Sequence, residues 1–172
     1  DDVGDGYLAE DRILARDNRV LWVNSLGNRA PRASAHDALR IWKKLRDAAS
    51  GTREVEPNLH VLGPVALPFY GPAARAVNAQ LVRAQVLRAM RALDFRRPVS
   101  WSFLPSAAPV AGRLGESMVV YHCVDEFSAF SDAASEVAEM EADIVRRADL
   151  VITSAERLRE SKAKLNPMTV LV

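Results

Sequence analysis

The 172-residue sequence carries 23 lysines and arginines against 22 aspartates and glutamates, a net charge of +1, and 49% of its residues are hydrophobic. This length and apolar content are typical of one globular domain with a buried core. The net charge argues neither for nor against a polyanionic partner, and we predict no nucleic-acid partner.

Cysteine usage and hydropathy narrow the class of protein further. Cys123 is the single cysteine, so a disulfide framework is excluded and a reducing compartment is favoured. The longest apolar run is too short to span a bilayer, and the start of the chain shows no signal-peptide pattern. We therefore predict a cytoplasmic protein.

Strand-like and helix-like segments alternate along the chain. The predicted strands cover residues 19–24, 59–62, 99–103, 118–121, 150–152 and 168–172. The predicted helices cover residues 8–17, 34–50, 73–94, 107–114, 135–147 and 153–165. Such alternation predicts right-handed βαβ crossovers and a parallel sheet with helices on both faces. The expected fold is one Rossmann-like, doubly wound α/β domain over residues 1–172.

Two helix starts have recognisable capping residues. Thr153 with Glu156 three residues later forms a capping-box pattern, and Ser135 can cap the helix that runs to Arg147. The buried stripe of that helix is predicted to contain Val137, Met140, Ile144 and Val145.

The helix predicted for residues 73–94 has a basic outer surface. Residues 73–97 hold six arginines and one aspartate, a local charge of +5. This pattern indicates either a solvated helix face or a surface for an anionic partner. For the second interpretation, Arg83, Arg88 and Arg91 are the membrane-facing candidates.

The segment MVVYHCVDEF, residues 118–127, is the strongest candidate for a site. Its first four residues read as a strand buried on both faces of a parallel sheet, and His122, Asp125 and Glu126 follow. Ligands of open parallel sheets lie beyond the carboxyl ends of the strands. These side chains are therefore expected to form the floor of a ligand site. The alternative is that Asp125 and Glu126 only solvate a turn.

Several standard motifs are missing from the sequence. It contains neither a glycine-rich dinucleotide fingerprint nor a P-loop. The histidines at 36, 60 and 122 lack metal-ligand spacing, and Cys123 has no second cysteine. A nucleophilic pair of His122 and Cys123 is disfavoured because neighbours on a strand point to opposite faces. Polar residues at strand ends remain as the candidate site.

Four segments in order resemble the amino-terminal half of bacterial GT-B glycosyltransferases of family 4 type, which build cell-surface polysaccharide or glycolipid. The segments are VLWVNSLGNR (20–29), PVSWSFLP (98–105), VVYHCVDEFSAF (119–130), and the E-x-x-I-V-R-R-A-D-L-V-I-T-S region with the lysine and Asn-Pro that follow it. The resemblance covers roughly residues 12–172. YHCVDEF and ADLVITS contribute most to it.

The resemblance implies two Rossmann-like domains that face each other across a cleft. The amino-terminal one would hold a glycan or lipid-linked acceptor, and the carboxy-terminal one the nucleotide-sugar donor. It implies no cofactor, no metal requirement and retention of anomeric configuration. It also implies a cytoplasmic enzyme, peripheral at the inner face of the membrane where the acceptor is lipid-linked.

The sequence departs from the family pattern at both ends. The first strand and glycine-containing loop of the family should precede Leu8, and no apolar segment stands there. The linker and the donor domain would follow Val172. Donor binding is therefore assigned to none of these residues, and we expect the chain alone to be inactive.

His122 and Asp125 are the predicted catalytic residues, with Asp125 accepting or orienting the proton of the reacting hydroxyl. Residues at the ends of neighbouring strands are predicted to bind the acceptor: Asn24, Ser25, Gly27, Asn28, Arg29, Pro105, Ser106, Glu126, Thr153 and Ser154. Two alternatives stay open. One is a Rossmann enzyme of the sugar-nucleotide epimerase type, and the other is a non-catalytic binding or assembly module.

Overall fold

The structure is a computed structural model that describes residues 12–25, 51–66, 72–127 and 134–172. The chain divides into two compact units, Asp1–Asp94 and Phe95–Val172, and each is described by itself. That residues 1–172 form one domain stays a prediction. The helix predicted for residues 34–50 and the site candidates Gly27, Asn28 and Arg29 lie outside the described residues.

The first unit contains a three-stranded sheet with the order β1-β3-β2. Its elements are β1 (Val20–Val23), β2 (Arg53–Glu56), β3 (Leu59–Leu62) and helix α1 (Pro72–Ala92). Strand β1 runs parallel to β3, whereas β2 is antiparallel to it. The predicted strands β1 and β3 and the predicted helix are confirmed. Val82, Val86, Ala89 and Met90 of the predicted helix stripe are buried.

Strand β2 was not predicted, although the turn that follows it has a clear sequence signature. Asn58 lies at φ +65°, between β2 and β3, and its side chain donates to the carbonyl of Ala15 over 3.2 Å. Proline followed by asparagine is a favoured pair for such a turn, because asparagine tolerates the left-handed region. Residues 53–56 are mostly charged and therefore show no apolar pattern from which a strand could be predicted. An edge strand with exposed side chains needs no such pattern.

The second unit contains a four-stranded, all-parallel sheet with the order β4-β5-β6-β7. Its elements are β4 (Val99–Ser102), a 3₁₀ turn (Pro105–Ala107), β5 (Met118–Cys123), α2 (Ala134–Arg147), β6 (Leu150–Thr153), α3 (Glu156–Ala163) and β7 (Thr169–Leu171). An α/β architecture with a parallel sheet and flanking helices is therefore confirmed.

The core of the second unit lies on one face of this sheet. Val119, Tyr121 and Cys123 alternate along β5 onto that face, where Ile144 of α2 and Leu158 of α3 pack against them. Val120 points to the opposite face and is also buried, with 3% exposure. The prediction that the central strand is buried on both faces is therefore confirmed for this part of β5.

Three local predictions for this unit were wrong. A helix at residues 107–114 is replaced by the 3₁₀ turn and further turns, because Pro109 lacks an N–H and Gly112 lies at φ +76°. Ser135 is not a cap, since α2 already begins at Ala134. Thr153 forms no capping box, because Ala155 is the N-cap and makes no side-chain cap bond.

Strand β5 also continues two residues beyond the predicted end at Tyr121. His122 and Cys123 pair with Ile152 and Thr153 of β6. Backbone hydrogen bonds extend a strand whatever the polarity of its side chains, so a change from apolar to polar residues does not mark the end of a ladder. His122 therefore lies within the strand and not after it.

Candidate functional site

One edge of the parallel sheet brings together seven of the predicted site residues. Because all four strands are parallel, their carboxyl ends meet at this edge. The seven residues follow or end β4, β5 and β6: Pro105, Ser106, His122, Asp125, Glu126, Thr153 and Ser154. We call this edge the candidate site.

His122 is half-buried beside two aromatic rings. Its ring centroid lies 6.2 Å from that of Trp101 and 5.2 Å from that of Phe103. Nδ1 of His122 is buried, and it makes no hydrogen bond within the described ranges. A buried polar nitrogen without a partner costs free energy, about 1–3 kcal/mol, and such groups in native proteins call for an explanation. Since Nδ1 has no contact with solvent, a ligand hydroxyl could reach it only if neighbouring side chains moved.

Asp125 lies in the loop after β5, and its side chain is exposed. The Sγ of Cys123 lies 3.3 Å from the backbone carbonyl oxygen of Asp125 and 3.6 Å from Glu141 Oε1, and its one S–H can donate to either. The shorter contact ties the loop backbone to the strand end. The carboxylate of Asp125 forms no hydrogen bond or ion pair with another residue that the structure describes. It is therefore accessible to solvent and to a bound molecule.

The carboxylate of Glu126 is directed to Lys162 of α3. Nζ of Lys162 donates to Glu126 Oε1 over 2.9 Å and to Glu141 Oε2 of α2 over 2.8 Å. The side chains of Lys162 and Glu141 are each 5% exposed, and that of Glu126 is 32% exposed. The hydroxyl of Tyr121 donates to Glu141 Oε1 over 3.0 Å. These four side chains form a buried polar network, which we call the Lys162 network.

Burial and neighbouring charges shift the pKa values of Lys162 and Tyr121 in this network and of Cys123 beside it. Burial alone would lower the pKa of the Lys162 ammonium, but its hydrogen bonds to Glu141 and Glu126 outweigh burial and raise that pKa. Burial, reinforced by the charge of Glu141, raises the pKa of Tyr121. Burial raises the pKa of the Cys123 thiol to about 12, against the opposing effect of Lys162. Lys162 is therefore charged at neutral pH, and Cys123 is a neutral thiol and not a nucleophile.

The remaining residues of the candidate site differ in accessibility. Thr153 is fully buried, and its hydroxyl donates to the carbonyl of Val170 over 3.0 Å. Ser154 is exposed, and its hydroxyl donates to the carbonyl of Val124 over 3.0 Å. Pro105 is buried in the 3₁₀ turn, whereas Ser106 beside it is exposed. Ser106 and Ser154 are thus accessible, and Thr153 stabilises the sheet.

Other predicted residues belong to the first unit. Asn24 and Ser25 follow β1, and Asn24 Oδ1 accepts a hydrogen bond of 2.8 Å from Trp22 Nε1. Arg88 and Arg91 are exposed on α1, and Arg83 is half-buried. Within the described ranges no helix is both long and apolar enough to cross a bilayer.

The first unit has a surface cleft that is separate from the predicted site residues. A surface cleft of about 380 Å³ in the first unit is lined by Arg12, Ala15, Arg16, Glu56, Pro57 and Asn58. None of these was predicted to bind a ligand. In the part of the chain that the structure describes, no three His, Cys, Asp or Glu side chains form a metal-binding group.

Sequence reasoning missed the buried polar residues of the helices. Glu141 lies three and four residues before Ile144 and Val145, so it is a carboxylate on the buried stripe of α2. Lys162 lies four residues after the buried Leu158 in the same way. A charged residue at a core position of an amphipathic helix was the available signal, because such a charge needs a buried partner.

Asn166 is a further buried residue that sequence reasoning left without a role. Its Nδ2 donates over 2.7 Å to the carbonyls of Val145 and Ala148, and its Oδ1 accepts from the N–H of Met168 over 2.9 Å. It thereby caps the end of α2 and fixes the start of β7. Asp149, which follows α2, holds strand β5 in the same way, since its Oδ2 accepts a hydrogen bond from the N–H of Val119 over 2.8 Å.

No family model matches the sequence. No curated protein matches it either. The arguments for function therefore depend on the candidate site and on the resemblance of the four segments.

Proposed function

We propose that this chain is the acceptor-side domain of a GT-B glycosyltransferase with a doubly wound, Rossmann-like fold. In this proposal the complete enzyme transfers a sugar from a nucleotide-sugar to a glycan or a lipid-linked glycan. The observation that carries the proposal is the pair His122 and Asp125 at the carboxyl edge of an all-parallel sheet. The first has a buried nitrogen that makes no hydrogen bond to a residue the structure describes, and the second has an exposed carboxylate.

The proposed chemistry is a group transfer to an acceptor hydroxyl. The hydroxyl oxygen forms a bond to the anomeric carbon of the donor sugar while the bond from that carbon to the nucleoside diphosphate breaks. The proton of the hydroxyl passes to the Asp125 carboxylate, or is oriented by it towards the departing diphosphate. A positioned acid–base group typically contributes about 10²- to 10⁴-fold in rate. His122 lies beside Trp101 and Phe103 and orients the acceptor there.

The surroundings of His122 support a sugar-sized acceptor. The rings of Trp101 and Phe103 lie 6.5 Å apart in a stacked arrangement, and Trp101 is 46% exposed. Sugar rings present flat apolar faces of C–H groups, which pack well on aromatic rings, and their hydroxyls need polar partners at the rim. Binding sites commonly combine aromatic walls with a few placed polar groups. Ser106 and Ser154 are the accessible polar groups at this edge.

Donor binding is not assigned to the residues described here. The resemblance implies a second domain for the nucleotide-sugar, a reaction with retention, and no metal or cofactor. It also implies that a lipid-linked acceptor would bring the enzyme to the inner face of the membrane. The exposed Arg88 and Arg91 on α1 support contact with an anionic surface, since each such cation contributes about 1 kcal/mol near anionic lipids.

The test uses the complete open reading frame beside the 172-residue chain. Both are incubated with a panel of nucleotide-sugars and with glycan and lipid-linked acceptors, and nucleotide release and products are measured. We expect transfer by the complete protein and none by the 172-residue chain. Robust transfer or hydrolysis by the 172-residue chain would contradict the two-domain proposal.

The same experiment separates the two alternatives. An epimerase converts the nucleotide-sugar without an acceptor, and product analysis detects this. A binding or assembly module binds no nucleotide-sugar, which calorimetry on the complete protein detects. Either result would replace the proposed function.

A further inference from the structure

The loop that carries Asp125, residues 124–127, is held at three points by side chains from three different elements. We call it the Asp125 loop. From its own strand, Cys123 Sγ lies 3.3 Å from the carbonyl oxygen of Asp125. From the end of β6, the Ser154 hydroxyl donates to the carbonyl of Val124 over 3.0 Å. From α3, Lys162 Nζ donates to the carboxylate of Glu126 over 2.9 Å.

Lys162 is the centre of this arrangement. It also donates to Glu141 over 2.8 Å, and Glu141 is held in turn by the hydroxyl of Tyr121 over 3.0 Å. Lys162 and Glu141 are both 5% exposed, so their geometry is fixed by packing as well as by charge. Glu126, at 32%, is the exposed end of the network. The network therefore has a buried part, Lys162 with Glu141 and Tyr121, and it reaches the Asp125 loop through the contact of Lys162 with Glu126.

We infer that Lys162 is a positioning residue, which holds the Asp125 loop in place through Glu126. Buried ion pairs are weak evidence for stability, because removing charges from water costs about as much as their attraction returns. Their best-supported use is to fix one arrangement out of several. Cys123 and Ser154 hold the loop backbone at Asp125 and Val124, and Lys162 holds the side chain of Glu126, the residue after Asp125. The consequence for catalysis depends on the proposed function, whereas the consequence for the loop does not.

Cys123 provides a direct readout of the loop, because it is the single cysteine of the chain and is fully buried. Its Sγ lies 3.3 Å from the Asp125 carbonyl on the loop and 3.6 Å from Glu141 Oε1 on the helix side, so release of the loop removes one of the groups that cover the thiol. The probe is iodoacetamide, with the labelled fraction followed by mass spectrometry. Local opening gives labelling that is independent of low urea concentrations, whereas global unfolding gives labelling that rises with urea.

The decisive variant is Glu126→Gln. It replaces the carboxylate by a neutral amide, which removes the ion pair with Lys162 and leaves only a weaker, neutral acceptor, while the buried pair of Lys162 and Glu141 is kept. We expect labelling of Cys123 to become about 5- to 10-fold faster, the factor that exchange of a charged hydrogen bond for a neutral one implies. The labelling rate of this variant should not change when low concentrations of urea are added. Glu139→Gln, at an exposed position of α2, is the matched control and should label at the parent rate.

A second pair of variants tests Lys162 itself. Lys162→Arg keeps a charged donor and should label within about threefold of the parent, whereas Lys162→Met should label at least as fast as Glu126→Gln. Lys162→Met leaves Glu141 buried without its charge partner and can fail to fold, in which case Glu126→Gln decides. Lys164→Met, at an exposed position just after α3, is the control. Equal labelling in the parent and in Glu126→Gln, or an increase only through global unfolding, overturns the inference.

Kinetics of the complete enzyme distinguish positioning from acceptor binding by Glu126. A positioning role lowers kcat by at least about tenfold with little change in the acceptor KM, since displacing a catalytic group by 1 Å costs up to 10²-fold. A rise in KM with unchanged kcat would assign Glu126 to acceptor binding and overturn the positioning role. If the complete protein shows no transfer, the proposed function fails, and the labelling result still decides the inference about the loop.

Discussion

The Sγ of Cys123 and the backbone carbonyl of Asp125 lie 3.3 Å apart, so the last residue of β5 holds the loop that follows it. Cys123 is fully buried, whereas the side chain of Asp125 is exposed. The chain therefore passes from the core to the surface within two residues. A carboxylate that leaves a rigid strand end in this way is accessible and yet has little freedom to move.

Asp125→Asn in the complete enzyme should lower turnover by about 10²- to 10⁴-fold, because the amide cannot accept the proton of the acceptor hydroxyl. The melting temperature should stay close to that of the parent, since the exposed carboxylate has no bond to another described residue. Turnover and melting temperature are measured on one sample. A destabilised but fully active variant would make Asp125 a turn residue only.

His122→Phe should separate function from stability. The new ring keeps an aromatic group beside Trp101 and Phe103, and the change removes the buried Nδ1, which has no hydrogen-bond partner in the part of the chain that the structure describes. The unfolding free energy should therefore be unchanged or higher by about 1 kcal/mol, as expected when an unsatisfied buried polar atom is removed. The acceptor KM should rise, and donor affinity measured by calorimetry should not change. Full activity of this variant would make His122 a core residue.

Asn166→Ala should destabilise the protein through α2. The change leaves the carbonyls of Val145 and Ala148 without their donor, and the N–H of Met168 without its acceptor. We expect a loss of about 2–4 kcal/mol in urea unfolding, from hydrogen bonds to buried groups. The control is Gln80→Ala at an exposed position of α1, which should stay within about 0.5 kcal/mol of the parent. An equal effect of the two changes would contradict the capping role.

The stability of the protein should fall in alkaline solution. Burial raises the pKa of Cys123 to about 12, so the folded state keeps its proton while the unfolded thiol ionises from about pH 8.5. The folded state then binds more protons than the unfolded one, and the unfolding free energy decreases as pH rises. The raised pKa values of Tyr121 and Lys162 act in the same direction above pH 10.

Urea unfolding at several pH values between 7 and 10 measures this slope. In Cys123→Ala the slope between pH 8.5 and 10 should be shallower than in the parent, because the contribution of the thiol is absent. An identical slope in both proteins would show that Cys123 is solvated in the folded state.

Binding to anionic vesicles should depend on α1. Changing Arg83, Arg88 and Arg91 together to Gln should weaken binding by a factor of about 10² at low salt. Each cation contributes about 1 kcal/mol near anionic lipids, and salt screens part of this attraction. Sedimentation with phosphatidylserine-containing vesicles at several salt concentrations measures the effect. Arg16, Arg157 and Lys164, which are exposed elsewhere, form a control triple of equal charge. Equal loss in both triples would indicate unspecific attraction.

The sequence by itself determined the parallel sheet and the location of the candidate site. The apolar runs at residues 119–121 and 150–152 predict buried strands, because they are short, bounded by polar residues and rich in β-branched and aromatic side chains, which favour strands. Helix α1 could also be predicted, since it is 21 residues long and its buried residues recur at the helical period. The position of Asp125 just after β5 followed from these patterns.

Only the tertiary structure decided which polar residues face a ligand and which face the protein. Glu126 and Thr153 were both predicted to bind the acceptor, but Glu126 pairs with Lys162, 36 residues away, and Thr153 bonds to the carbonyl of Val170. Such pairings join distant segments and leave no periodic trace in the sequence. The same holds for the buried Nδ1 of His122, because the aromatic rings beside it belong to the neighbouring strand and the loop that follows it. Hydrophobic burial has a period that sequence analysis can detect, whereas the partner of a polar group is fixed only when the chain has folded.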